Sequence, residues 1–178
     1  MINRKDMKQS WIIIIFLTIT LNCFGQQTEN SKEDNKVFLI KDFSDKYYGK
    51  VVFDSLERDS DYLTGQGKIS VIEAGANGEL ITVENEDLSI FLHDGEIQAN
   101  VLELPYGEQS PMIYYDFNFD GKPDFAIRDG NNSCYNGPSF KVFLANDKGT
   151  FDYNEDFTDL AQSYCGMFNV DTTNKQIR

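Results

Sequence analysis

Between Val37 and Tyr153 the chain is a succession of short β-branched and aromatic runs, each ended by turn-forming residues. Lys68-Ile-Ser-Val-Ile-Glu73 and Leu80-Ile-Thr-Val-Glu84 alternate apolar and polar residues around Asn77-Gly78. Asn-Gly readily takes positive φ at both central positions of a tight hairpin turn, so this arrangement predicts a hairpin. Leu88–Leu92 and Ile97–Leu104 flank Asp94-Gly95 in the same manner, and Phe140–Leu144 and Phe151–Tyr153 straddle Asn146–Gly149. Tyr47–Phe53 reads as another strand, and Met112–Tyr115 and Phe125–Ile127 as two more on either side of an acidic loop. Only Asp156–Ser163 reads as a helix, with Asp156 as its cap and Phe157, Leu160 and Ala161 on one face. Strands about ten residues apart, joined by tight turns, predict an all-β fold: an antiparallel sandwich or small barrel with one short helix. No unit of roughly 20–50 residues repeats, which argues against a full propeller.

The 178 residues suit one domain, and the first of them stand apart from it. Arg4, Lys5 and Lys8 precede the apolar run Trp11–Leu21, and Gly25 follows. A basic start, a short apolar centre and a small residue at the exit describe a signal peptide over 1–25. The run is too short for a bilayer-spanning helix of about twenty residues. Cys23 offers a rival, lipid-anchored start. However, Thr20-Leu21-Asn22 lacks both the upstream leucine and the small residue that lipidation uses. Residues 26–35 are polar and aperiodic and read as a tether, leaving 36–178 as the folded domain. At the far end, Met167–Val170 and Lys175–Arg178 read as hairpin arms. The second is cut short, so the expectation is a chain truncated at its C-terminus.

Export to a periplasmic or secreted location sets the charge. The chain carries a formal −13, and the leader holds three cations against Asp6; taking that +2 away leaves about −15. Such acidity argues against nucleic acid or an anionic membrane as partner and favours metal ions or a basic protein. Cys134 and Cys165 remain in the mature chain, and in an oxidising compartment an even count predicts a bridge.

One motif carries chemistry. In Asp116-Phe-Asn118-Phe-Asp120-Gly121-Lys122-Pro-Asp124, oxygen-bearing side chains fall at loop positions 1, 3, 5 and 9, with glycine at 6. Calcium takes six to eight oxygens at about 2.3–2.6 Å, and this spacing supplies them from one tightly wound loop. Asp116, Asn118 and Asp120 would each give one oxygen, Lys122 its main-chain carbonyl, and Asp124 the closing carboxylate. An EF-hand would have a bidentate Glu at position 12, where Ile127 stands here. A cage of several carboxylates suits calcium better than magnesium. The competing reading is a plain turn-rich acidic loop, since Asn, Asp and Gly dominate turns anyway.

Other candidates are weaker. His93, the single histidine, falls at a predicted hairpin tip with no evident partner, a poor general base. No serine lies in a nucleophile motif, and no carboxylate pair stands in a cleft-like aromatic context. The expectation is a protein that binds and is not an enzyme. Asp129–Pro138, rich in Gly and Asn and containing Cys134, is the loop best suited to a partner, with Tyr135 and Phe140 as aromatic anchors.

The acidic motif resembles the calcium loop of FG-GAP repeats. Taken with Gly137-Pro-Ser-Phe-Lys-Val-Phe143, it is more similar to bacterial periplasmic β-proteins related to inhibitors of invertebrate-type lysozymes. That group includes immunity proteins against peptidoglycan hydrolases. The resemblance covers Tyr47–Arg178 and is strongest over Pro105–Asp171. It implies calcium ligands at Asp116, Asn118, Asp120, Lys122 and Asp124, and an inhibitory element at Asn136, Gly137, Ser139 and Phe140. Lysozyme inhibitors often use Ser-Gly-x-x-Tyr; Asn136-Gly137-Pro138-Ser139-Phe140 keeps the glycine and replaces the first and last residues. The implied role is inhibition of, or immunity to, a lysozyme-like hydrolase. The alternative is an envelope adhesion or glycan- or protein-binding module in which calcium is purely structural.

Overall fold

In the computed structural model, residues 36–103 and 107–178 are described. The expected signal peptide, the tether and Cys23 lie outside them. The fold is all-β, with eleven strands and one α-helix among these residues. The first sheet holds β1 (Val37–Ile40), β2 (Tyr47–Phe53), β3 (Glu57–Asp59), β4 (Tyr62–Glu73) and β5 (Glu79–Phe91). Strand β4 is its spine. Along one edge it pairs with β2 and then β3, along the other with β5, and β1 adds to the outside of β2, all antiparallel. The second sheet is a meander of β6 (Met112–Tyr115), β7 (Asp124–Gly130), β8 (Ser139–Ala145) and β9 (Phe151–Asn154).

Strand periodicity sets the layers. Tyr47, Gly49, Val51 and Phe53 of β2 are buried, and the residues between them are half-buried. Their buried faces, with Ile69, Val71, Val83 and Ile90, close against Met112, Phe125 and Ile127 of the second sheet in one core. Phe125 is its aromatic hub, with ring centroids of Tyr114 and Phe151 at 4.6 and 4.9 Å. The opposite face of the second sheet presents Ile113, Ala126, Phe140 and Val142 to Ala161, Met167 and Phe168, forming a second, smaller core. Helix α1 (Glu155–Ser163) covers that face. The predicted sandwich is therefore two stacked sheets with a helix as a third layer.

Close approach explains two glycines. Where the chain leaves β2 for β3, a Cβ on Gly65 would lie 1.9 Å from the Ser55 carbonyl oxygen, and one on Gly67 2.2 Å from that of Val52. The β4–β5 register shifts between the same two residues, letting one long strand serve two short partners.

Three expectations are corrected. Leu88–Phe91 does not open a second hairpin; it continues β5 and pairs with Tyr62–Gly65. The polar Glu84–Asp87 stretch reads as a break, yet it stays in the strand because buried Asn85 donates to the Arg128 carbonyl and accepts from the Asp87 N–H. The turn at Asp94-Gly95 forms, with both residues at positive φ, but its arms stop at one His93–Glu96 bridge. The helix is capped by Asn154, whose side chain accepts from the Phe157 N–H, and Asp156 lies within its first turn. At the C-terminus β10 (Val170–Asp171) and β11 (Gln176–Ile177) form the expected small hairpin.

Candidate functional site

Strands β7 and β8 carry both loops that the motifs single out, one at each end. The acidic loop leaves β6 at Tyr115 and re-enters the sheet at Asp124, the first residue of β7. Phe117 is buried against Phe168, their ring centroids 5.6 Å apart, and anchors the loop on the smaller core. Phe119 is only half-buried and stands at φ 62. Gly121 has φ 87, and a Cβ there would meet nothing within 4 Å, so backbone conformation and not space makes glycine the fitting residue.

The polar side chains turn inward onto the loop's own amides. Asp116 accepts from the N–H groups of Asp120 and Gly121, at 3.1 and 2.9 Å. Asn118 Oδ1 also accepts from the Asp120 N–H, and Asp120 from that of Lys122. The Lys122 side chain points elsewhere, pairing with Asp147 in the β8–β9 turn. Asp124 is fully buried. Its Oδ2 accepts from the Phe117 N–H and its Oδ1 from the Ala145 N–H, both at 2.8 Å, so one carboxylate joins the start of the loop to the end of β8. Burial pushes the Asp124 carboxyl up to about 6, the two N–H donors oppose that rise, and the charges of Asp120 and Asp116 add to it.

The donor set is all hard oxygen, which fits calcium in chemistry, and its side chains fold toward the loop interior. Among the described residues, no three His, Cys, Asp or Glu side chains form a group that could hold a metal ion. The expected ligands share one loop, but their carboxylates are not drawn together there into such a group. Asp124, expected to close the shell, is engaged by main-chain N–H groups through both oxygens, each of which keeps a second lone pair.

The second loop, Asp129–Pro138, lies at the other end of these strands. Cys134 is bonded to Cys165, 31 residues on, just past α1. A single 3-10 turn, Cys134–Asn136, forms the tip, and Tyr135 and Asn136 both sit at positive φ, 55 and 57. Left-handed backbone at two successive non-glycine residues costs on the order of 1 kcal/mol each, so the surroundings must impose it. Tyr135 is 92 % exposed.

Three braces besides the disulfide hold this loop. The Ser133 hydroxyl donates to the Gln162 carbonyl of α1, and the Gln162 side chain donates back to the Asn132 carbonyl. The Asn132 N–H donates to the Ser139 hydroxyl. On the other side, buried Arg128 donates to the Asn131 side chain and to the Gly130 carbonyl, and Asn131 donates to the Asp87 carboxylate at 3.0 Å. Burial pulls the Arg128 guanidinium below its ordinary value while Glu108 and Asp87 resist. Glu108 is itself pushed up by burial.

Of the expected partner-binding residues, Tyr135, Asn136 and Gly137 sit at the loop tip. Ser139 and Phe140 do not: both are buried, Phe140 is 1 % exposed inside the smaller core, and the Ser139 hydroxyl is used internally. This corrects their reading as contact residues. The second sheet is covered on both faces, so consecutive residues of β8 are buried alike, Phe140 facing α1 beside Ala126 and Val142. The Arg128–Asn131–Asp87 brace was not anticipated. Its one sequence signal is an arginine directly after the apolar run Phe125–Ile127. His93 stacks edge-on against Phe91, centroids 4.9 Å apart, away from both loops in sequence.

No family model and no curated protein matches the chain. A solved structure described as a Xanthomonas Type IV Secretion System related protein is similar to it in fold. Its TM-score is 0.53 at 24 % identity, over 80 % of this chain and 69 % of that one.

Proposed function

We propose that this protein is an exported binding protein that inhibits, or gives immunity against, a lysozyme-like peptidoglycan hydrolase, with Tyr135 at the centre of the contact. One observation carries this reading: a nearly free-standing tyrosine is presented at the tip of a loop tied down by a disulfide and three hydrogen-bonded braces. A tyrosine has only two χ angles to fix, and a braced loop loses little further entropy on docking, so such a tip binds efficiently. The formal −13 charge complements basic lysozymes and would speed their encounter. A fold shared with a type IV secretion system related protein is compatible with work at the cell envelope.

Purified protein should slow cell-wall lysis by lysozyme-like hydrolases at micromolar concentration with calcium present. Tyr135→Ala should raise the inhibition constant by roughly 30-fold, the size of an interface hot spot. Absence of inhibition across a panel of such hydrolases would overturn the reading. Retention on peptidoglycan without any effect on hydrolase rates would favour an envelope-binding module instead.

Calcium belongs to the same proposal. Asp116, Asn118, Asp120, the Lys122 carbonyl and Asp124 would hold it, and the ion would neutralise aspartates that otherwise repel across the loop. Asp120→Ala should lower the melting temperature measured in calcium and abolish the difference that a chelator makes to the unsubstituted protein. Differential scanning fluorimetry checks this. Calorimetry showing no heat of calcium binding at millimolar ion would refute it.

A further inference from the structure

Among the described residues the first sheet ends at β1, with no strand paired to its outer side. Strand β1 uses one edge to pair with β2, and no backbone hydrogen bond among the described residues engages its other edge. Across a cleft of about 530 Å³ lies Gly95–Asn100. That segment is not a strand, but side chains alternate inward and outward along its middle. Ile97 and Ala99 pack on the main core, as Phe38 and Ile40 of β1 do, while Gln98 between them is exposed. The main chains of Ile97, Gln98 and Ala99 also make no backbone–backbone hydrogen bond among the described residues. Strand β1 and the middle of that segment thus contribute to one core layer with no ladder between them.

Such a cleft has the size of a peptide or ligand site, about 300–1,000 Å³. The exposed side chains of Val37 and Leu39 give it an apolar lip. Asp42 and Glu96 outnumber Lys41 on its charged rim, in a chain whose formal charge is −13. A second copy of the same acidic chain would be repelled, whereas a basic segment would be attracted. We propose that the cleft between β1 and Gly95–Asn100 receives an extended segment of a basic partner protein, added to the sheet as a strand beside β1. Main-chain hydrogen bonds to the free strand edge would supply affinity. Alternate aliphatic side chains against the apolar lip, and lysine or arginine facing Asp42 and Glu96, would supply selectivity.

The probe is the synthetic peptide acetyl-Lys-Val-Thr-Val-Thr-Ile-Lys-Arg-amide, followed by fluorescence anisotropy and by amide hydrogen exchange. Saturable binding is expected, with exchange at Val37–Ile40 and Gln98–Ala99 slowed about tenfold when the peptide is bound. N-methylation of alternate peptide amides should abolish binding in the register whose N–H groups meet β1. Replacing the basic residues of the peptide by glutamate, or making the exposed double substitution Asp42→Lys and Glu96→Lys, should weaken it about tenfold. Failure to bind at about 1 mM, or binding indifferent to N-methylation in either register, would overturn the proposal. So would β1 amides equally protected in the peptide-free monomer, or a peptide-independent dimer whose interface protects them.

Discussion

Replacing Asp124 by alanine should destabilise the protein by about 3–5 kcal/mol and lower its melting temperature by roughly 10 °C, mostly without any help from calcium. The carboxylate is fully buried and accepts two main-chain hydrogen bonds, from Phe117 and from Ala145. Alanine leaves both N–H groups inside the protein without an acceptor, and each such orphan costs about 1–3 kcal/mol. Asparagine should be nearly as damaging. It keeps one acceptor oxygen but sets an amide –NH₂ against the other N–H, donor facing donor. Chemical denaturation in chelator measures both variants. A loss below about 1 kcal/mol for alanine would remove Asp124 from its place as the clasp between loop and sheet.

The same carboxylate predicts a pH dependence. Its folded pKa, about 6, lies above the ordinary 3.8. The folded state therefore holds this proton more tightly than the unfolded state does. This contribution to stability is complete below about pH 4, falls as pH rises through about 6, and is flat above. Denaturation midpoints in chelator, compared with those of Asp124→Ala over that window, isolate it.

Breaking the disulfide should be comparably costly. Cys134→Ser with Cys165→Ser opens a loop of 31 residues, worth roughly 3–4 kcal/mol on the chain-entropy model. The effect on binding has a separate origin. Tyr135 and Asn136 occupy left-handed backbone beside the cystine, and without that tie the tip can relax into ordinary conformations. Inhibition by the serine variant should weaken by at least about tenfold even at temperatures where it remains folded. Amide exchange over residues 130–137 should accelerate, while exchange in β4 and β5 stays slow. If exchange in the loop did not change, the remaining hydrogen bonds would suffice to hold it.

Most strands were legible because their burial alternates. Tyr47–Phe53 is read at its true ends, since every second residue enters the core and the chain turns sharply beyond. The run from Glu79 to Phe91 was not, because its continuity depends on Asn85 finding the Arg128 carbonyl on another sheet, 43 residues away. The Cys134–Cys165 bridge followed from parity and compartment alone. For the loops, turn chemistry told where they lie and not which way each side chain points. Ser139 and Phe140 follow the loop in sequence, but β8 begins at Ser139 and draws both indoors. The role of Arg128 was invisible because its partners, Asn131 and Asp87, come together only when β5 is laid near the end of β7.

The position of the acidic turn and the tyrosine-bearing tip at opposite ends of β7 has a consequence for regulation. Seven residues of extended chain separate them by about 20 Å, so the two loops do not touch each other. Any influence of one loop on the other must then travel as rigidity along a shared pair of struts. Loss of order in the acidic loop should therefore lower stability far more than it loosens the tyrosine-bearing tip.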